Sequence, residues 1–297
     1  GPMCAVAVVG SVTIDHNHVG GRRFLKLGGA ASYAGLTYLR LGLSARVLCN
    51  VAPTDAAICT PLRRAGVQVL SGRTRHTTRF VNRMIRDARV QQTPTLAAPI
   101  RYRRIAAVLK RIDCLHLGPL HPEDIEAHAY GRLAACGALV VLDVQGLVRK
   151  KCRGRLVPAV SEHLAAALQA ASIVKADRSE ADRIVEAYGI GIEALMERFG
   201  IAEWAVTGGA DGGCIHARRR RPQPYPAPPV GRVVDPTGAG DVFLAAYTEA
   251  RVRQGLSVAA ASRRAAGLAA THVSGQLFPA ALLDLGRRPP AGAPGEH

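Results

Sequence analysis

The stretch Val233-Val234-Asp235-Pro236-Thr237-Gly238-Ala239-Gly240-Asp241-Val242-Phe243 governs how the rest of this sequence is read. Two β-branched residues lead into a Pro- and Gly-rich turn, and beyond it Phe243, Ala246, Tyr247 and Ala250 recur on one face of a helix. Gly238 and Gly240 permit a tight turn and, lacking Cβ atoms, let an anion approach the backbone amides. A helix opening there offers unpaired N–H groups and about half a unit of positive charge. Gly238, Ala239, Gly240 and Asp241 together read as an anion hole of phosphate size. Asp241 lies in the first turn, where the helix dipole is expected to keep its carboxylate ionised and able to take a proton from an attacking hydroxyl. An ordinary turn explains G-A-G-D alone equally well. It does not explain all eleven residues set between a strand and a helix.

Outward from that stretch, short apolar runs alternate with longer helical patterns. Strands are expected at Ala5–Val9, Ala45–Cys49, Val67–Leu70, Cys114–Leu117, Leu139–Leu142, Ser172–Val174 and Trp204–Val206. Helices are expected at Ala30–Leu41, Asp55–Arg64, Pro122–Ala135, Pro158–Ala171, Arg178–Tyr188, Ile192–Phe199 and Val258–Val273. Strands that are apolar throughout, alternating with helices, indicate an α/β fold: a mostly parallel central sheet with helices on both faces. Ligands of such sheets sit beyond the carboxyl ends of the strands. Two segments break the alternation. Residues 12–27 and 79–96 are polar and β-prone without helical period, and are expected to pair as a small separate sheet, a lid or dimer surface. Arg218–Pro229 is too Pro-rich for a helix and reads as an exposed hairpin tip. Residues 1–286 are expected to form one domain, opened by a Gly1-Pro2-Met3 cleavage scar, and residues 287–297 a disordered tail.

The 297 residues are 48% hydrophobic, which suits a globular fold. Arg and Lys number 39 against 22 acidic residues, a net charge of +17, and only Lys26, Lys110, Lys150, Lys151 and Lys175 are lysines. That excess favours anionic partners without specifying them. A nucleic-acid-binding protein is one reading, disfavoured because aromatics are only 4% and stacking platforms are scarce. The seven cysteines contain no C-x-x-C pair, so neither zinc nor a disulfide framework is expected, and the compartment reads as reducing. No apolar run reaches the length of a membrane span, and a soluble, cytoplasmic protein is expected. Gly10-Ser11-Val12-Thr13 after the first strand lacks G-x-G-x-x-G, which disfavours a dinucleotide oxidoreductase.

DPTGAGD followed by an aromatic resembles the signature of the ribokinase-like, or PfkB, carbohydrate kinases. Gly28-Gly29-Ala30-Ala31-Ser32-Tyr33 resembles the family's di-glycine hinge beside the acceptor, and Thr207-Gly208-Gly209-Ala210-Asp211-Gly212 its nucleotide-phosphate turn. Lys175-Ala176-Asp177-Arg178-Ser179-Glu180 stands where the family has Asn-x-x-Glu near magnesium, with Asp177 in place of the Asn. The resemblance implies a ribokinase-like fold with a β lid, and transfer of the ATP γ-phosphoryl group to a small polyol. It implies Asp241 as base over the Gly238–Asp241 amides, and Glu180 with Asp143 serving Mg²⁺ mostly through waters. Thr207, Gly209, Gly212, Asp177, Ala269 and Val273 would bind nucleotide. Asp15, Gly28, Gly29, Tyr33, Asn82 and Arg149 would contact the acceptor side, Arg149 offering its planar fork to phosphate. Asp235, Thr237 and Gly275 resemble the family's monovalent-cation region, so K⁺ is carried as an optional cofactor. Tyr33 replaces an Asn that contacts sugar in many members, a departure from an ordinary ribose or fructose pocket. Short strings including DVQGLVR and HVSGQLF are closer to the myo-inositol kinase branch. A nucleoside acceptor is the alternative, kept alive by Phe80 and Tyr33.

Overall fold

The computed structural model describes residues 3–286; Gly1, Pro2 and the 287–297 tail lie outside the described residues. The first third runs β1 (Ala5–Val9), β2 (Thr13–Val19), β3 (Arg22–Gly28), α1 (Ala30–Arg40), β4 (Ser44–Asn50), α2 (Thr60–Ala65), β5 (Gln68–Gly72), β6 (Arg79–Ile85), β7 (Ala88–Thr95) and α3 (Tyr102–Leu109). Next come β8 (Cys114–Leu117), α4 (Ala127–Leu133), β9 (Leu139–Asp143), β10 (Arg149–Cys152), β11 (Arg155–Pro158), α5 (Leu164–Ala170), β12 (Ile173–Asp177), α6 (Arg178–Tyr188) and α7 (Ile192–Phe199). The chain continues through β13 (Glu203–Thr207), β14 (Gly213–Ala217), β15 (Gln223–Tyr225), α8 (Ala239–Thr248), α9 (Val258–Val273), α10 (Ala280–Leu283) and β16 (Asp284–Gly286).

Nine strands form the main sheet in the order β15-β14-β13-β12-β9-β8-β1-β4-β5. From β13 to β5 every pairing is parallel, and β14 and β15 add antiparallel at one edge. The strands are apolar on both faces because helices cover both. In β1, Val6 and Val8 enter a core shared with α1, α8 and α9, while Ala7 and Val9 enter a second core with α3, α4, α5 and α7. This is the expected ribokinase-like α/β architecture. A separate sheet of order β16-β3-β2-β6-β7 takes up both segments that broke the alternation. Its edge strand β16 comes from Asp284–Gly286, a contribution not legible in so short a run.

Three expected helices are corrected. The helix foreseen over Pro122–Ala135 begins only at Ala127. Before it, Asp124 is turned back to accept from the Ser11 hydroxyl (2.5 Å) and the Leu120 amide (2.8 Å), tying two strand ends together. The helix foreseen over Pro158–Ala171 begins at Leu164, because Arg149–Pro158 is a β-hairpin instead. Arg153 (φ 49°) and Gly154 (φ 74°) supply the two left-handed residues its turn requires. Asp55–Arg64 splits into a 3₁₀ turn over Pro53–Cys59 and then α2, whose first turn carries Pro61. Helix α3, not foreseen, buries Ile105 and Val108, and its half-buried Arg104 donates to the carbonyls of Cys49 in β4 and Leu70 in β5. Arg218–Pro229 was read as a hairpin tip, and Arg218–Pro222 is the exposed turn between β14 and β15. No helix among the described residues is long and apolar enough to cross a membrane.

A buried network positions α8 on the sheet. Glu203 of β13 accepts from Tyr247 Oη (2.7 Å) in the last turn of α8 and from Arg251 Nε (2.8 Å) in the π-helical turn Glu249–Arg253 that follows it. A carboxylate in that position is stabilised only while both donors stay in place.

Candidate active site

Helix α8 opens at Gly238, whose φ of 85° is left-handed. A side chain there would also overlap the ring of Tyr33, so this turn admits only glycine. Gly240, whose φ is ordinary, has the Lys175 ammonium beneath it. Val242 makes the first helical bond, to the Gly238 carbonyl at 3.0 Å. The Ala239 amide is spent on the Pro236 carbonyl (3.2 Å), which corrects the expectation of four available donors. Gly238, Gly240 and Asp241 keep N–H groups without an acceptor among the described residues. Gly238–Asp241 are half-buried rather than sealed beneath packed side chains.

Asp241 stands among charges of both signs. Burial, aided by the neighbouring Asp143 and Glu180, pushes its pKa up to about 7, against the opposing pull of Lys175 and Arg149. The sequence-based expectation that the helix dipole keeps it firmly ionised is therefore corrected: desolvation and two carboxylates outweigh the dipole. Such a pKa suits a group that must accept a proton near neutrality. Lys175 lies on β12 directly beside Asp143 on β9, its Nζ 3.4 Å from Oδ2. Burial alone would pull the Lys175 pKa down, but Asp143, Glu180, Asp241 and Asp177 more than reverse that.

Glu180 and Asp177 form a capping box at the start of α6. Asp177 Oδ1 accepts from the Glu180 amide (2.7 Å), and Glu180 Oε1 from the Asp177 amide (2.8 Å). The box spends one oxygen of each carboxylate. Burial, opposed by Lys175 and aided by Asp143 and Asp177, raises Glu180 to about 7. Two carboxylates set close enough that Asp143 helps raise Glu180 could share a divalent cation held partly through waters. Asp143 Oδ1 accepts from the Gln145 amide at 3.0 Å and its Oδ2 faces Lys175. No cluster of three metal-suited side chains occurs among the described residues, so Asp143 and Glu180 would hold Mg²⁺ through its waters rather than by direct ligation. Arg149, at the start of β10, is anchored by Nε to the Leu120 carbonyl (2.6 Å), leaving its terminal nitrogens for other partners.

The turn after β13 has Gly209 at φ 56° and Gly212 at φ 75°. Pro226 and Ala227 press against Gly212, and the Arg178 guanidinium lies over Gly208. Arg178 makes only a 3.7 Å contact with the exposed Asp211, so this cation, unremarked in the sequence reading, is free to meet an anion at the turn. On α9, Ala269 and Val273 are half-buried, and the Val273 carbonyl accepts from the amides of Val234 (2.9 Å) and Asp235 (3.3 Å).

The small sheet supplies the other wall. Asp15 on β2 is 6% exposed, wedged against Gly28, and accepts from Thr13 Oγ1 (2.7 Å). Burial raises its pKa to about 6, opposed by that bond and by Lys26. Two residues along the same face, Asn17 accepts from Asn82 Nδ2 and Asn82 from Gln91 Nε2, both at 2.9 Å. Phe80, paired opposite Asp15, packs on Ala30 and Leu120 with Leu156 of the hairpin. Tyr33 is 1% exposed, and its hydroxyl finds no partner among the described residues. Asp15, Asp235 and Asp241 all act on that phenol after burial itself, placing Tyr33 between the two walls. The di-glycine pair turns the chain here, Gly29 having φ 94° with the Ser11 carbonyl too close for any side chain. Lys26 carries no motif signal, and Lys175 and Arg178, though inside the quoted 175–180 string, carry no role there; only folding brings all three to the site.

A helix terminus with free amides, a carboxylate of near-neutral pKa and the Asp143–Glu180 pair beside it, near the carboxyl ends of parallel strands, fit a phosphotransferase. Residues 130–277 match the sequence profile of the pfkB family carbohydrate kinase, and the chain carries a kinase domain of that family. Such a domain implies ATP and, typically, Mg²⁺. Solved structures of the same fold include a pyrophosphate-dependent kinase in the ribokinase family complexed with a pyrophosphate analog and myo-inositol, 22% identical, with 90% of this chain and 94% of that chain covered at a TM-score of 0.78. A fructokinase with bound ATP from Xylella fastidiosa is 17% identical over 91% of this chain and 92% of that one, TM-score 0.75. The Burkholderia thailandensis nucleoside kinase in complex with inosine is 18% identical over 91% of each chain, TM-score 0.72. No curated protein matches the sequence.

Proposed function

We propose that this kinase transfers the γ-phosphoryl group of ATP to a hydroxyl of a small polyol, a cyclitol or sugar of the myo-inositol kind. The observation that carries the acceptor class is the amide ladder Asn17–Asn82–Gln91 on the face of the small sheet that also bears Asp15. Vicinal hydroxyls both donate and accept, and a carboxylate flanked by carboxamides offers both complements. The small sheet acts as a lid, and Gly28–Gly29 as the hinge beside the acceptor.

In this reading Asp241 takes the proton of the attacking hydroxyl, and the free amides of Gly238, Gly240 and Asp241 hold the phosphoryl oxygens. Transfer passes through a loose transition state, so positioning and charge neutralisation dominate. Arg149 donates to those oxygens from the hairpin side. Lys175 stands behind the helix terminus and limits how far Asp241 and Glu180 are pushed toward the neutral form. Bound Mg²⁺ would supply neutralisation of the donor phosphates. The turn Thr207–Gly212, with Arg178 over it, receives those phosphates, with Ala269 and Val273 beside the base. The exposed Val19, Met84 and Ile85 at the tip of the small sheet support a contact there between two copies of the chain. A nucleoside acceptor is supported by the apolar patch of Phe80, Leu120 and Leu156.

The test is a product-release screen over cyclitols, hexoses, pentoses and nucleosides, run with ATP and with pyrophosphate as donor. Turnover with a cyclitol or sugar is expected. Turnover with nucleosides alone would replace the polyol reading, and turnover only with pyrophosphate would replace ATP.

A further inference from the structure

The loop Val234–Gly238 sets where α8 begins, and a K⁺ ion implied at Asp235, Thr237 and Gly275 would act on this loop. Its oxygens do not fit such an ion. A bare alkali cation exchanges its water shell for several converging oxygens. Here Asp235 Oδ1 accepts from the Thr237 amide at 2.9 Å, and Asp235 Oδ2 is ion-paired to Lys26 Nζ. The Thr237 carbonyl accepts from His272 Nε2 at 2.6 Å, which requires the proton on that nitrogen. Both carboxylate oxygens and the carbonyl are engaged, and one positive charge already sits on the carboxylate.

That charge arrives from the far wall of the site. Lys26 lies on β3, cross-strand from Asp15, and is 209 residues from Asp235 in sequence. Its side chain is 17% exposed. The bond from Thr237 to Asp235 then carries the constraint one residue short of Gly238. Choice of residue points the same way. Of 39 basic residues only five are lysines, yet the cations set against Asp235 and beneath Gly240 are both lysines. An ammonium is a compact point charge, closer to a metal ion than the planar guanidinium fork is.

We propose that Lys26 is a tethered monovalent cation: its ammonium does on the Asp235–Gly238 loop what a bound K⁺ would do, holding the anion-binding helix terminus in shape, so that phosphoryl transfer proceeds without added K⁺. Lys26 is thereby a positioning residue, since it acts through Asp235 rather than on the reacting atoms. The inference rests on the phosphotransferase reading, but not on which polyol is the acceptor.

The experiment compares wild type with Lys26→Ala and Lys26→Met in KCl, NH₄Cl, NaCl and choline chloride at equal ionic strength, reading turnover and, without substrates, the thermal midpoint. Wild type is expected to be indifferent to the cation in both readouts. The variants are expected to lose turnover by on the order of tenfold to a hundredfold in choline chloride, as a displaced loop would cause. KCl or NH₄Cl should recover much of that loss and raise their midpoints, as a ligand bound only by the folded state does. Severalfold stimulation of wild type by K⁺ overturns the proposal. So does full activity of the variants in choline chloride, or a loss that no cation repairs in either readout. Should neither variant fold, the wild-type cation series decides alone. Absence of turnover from wild type in all salts would instead refute the kinase reading, leaving the thermal arm to judge Lys26.

Discussion

Replacing Asp241 by Asn should make the protein more stable and catalytically inert, and the gain in stability should depend on pH. The wild-type carboxyl is raised from an ordinary 3.8 to about 7 by burial and by Asp143 and Glu180. A carboxyl raised in the folded state binds its proton more tightly there than in the unfolded chain. Its burial therefore costs stability, fully above the folded pKa, and the cost fades as pH falls from about 7 toward 3.8. At about 1.4 kcal/mol per pKa unit, the full cost at pH 8 is on the order of 4 kcal/mol. The same linkage leaves less than half of it, on the order of 1.5–2 kcal/mol, at pH 5. An amide in the same place keeps a desolvation cost of about 1–2 kcal/mol, so the net gain at pH 8 is about 2 kcal/mol. For a chain of this size that raises the thermal midpoint by roughly 3 °C. Scanning calorimetry of both proteins at pH 8 and pH 5 measures it, and turnover should fall about 10²–10⁴-fold, the usual contribution of a general base. Wild-type kcat/KM should itself rise with pH up to about 7, because the base must first lose its proton. An Asn variant that is no more stable at pH 8, or whose gain is undiminished at pH 5, would refute the electrostatic account. One with normal turnover would remove the base.

Lys175→Met should move the rising limb of the kcat/KM profile to higher pH by about one unit or more, since Lys175 opposes the upward shift of Asp241; an unmoved limb would show that the ammonium does not act on that carboxylate. Asp15→Asn should raise KM for the acceptor by about tenfold, the worth of a charged hydrogen bond, while leaving KM for the donor unchanged; initial-rate kinetics with each substrate varied separate the two. Glu203→Ala should cost about 2–3 kcal/mol, less than a fully buried pair because Arg251 is 27% exposed, and urea unfolding would read it as a lower midpoint.

Much of this protein could be read without coordinates because the relevant signals are local. The alternation of apolar runs and helical periods marks the main sheet, as the agreement at Ala5–Val9, Cys114–Leu117, Arg178–Tyr188 and Val258–Val273 illustrates. The eleven residues around Gly238 announce the helix terminus through two glycines and an acid at fixed offsets. Where the reading slipped, a distant contact overrode a local preference. Asp124 abandoned a helical start to bind Ser11, and Arg149–Pro158 became a hairpin beside β7, where the Thr93 amide meets the Gly154 carbonyl at 2.7 Å.

Charge at the site was decided by the tertiary structure alone. In sequence Asp241 is an acid at a helix start, and burial in the fold, joined by Asp143 at the end of β9 and Glu180 in the first turn of α6, turns it into a carboxyl that titrates near neutrality. Lys26 and Asp235, and Lys175 beneath Gly240, likewise have no spacing that announces them. The physical reason is range. Hydrogen-bond and steric preferences of the backbone are settled within a few residues, whereas burial and Coulomb interaction depend on which groups a fold brings within a few ångströms, whatever their separation along the chain.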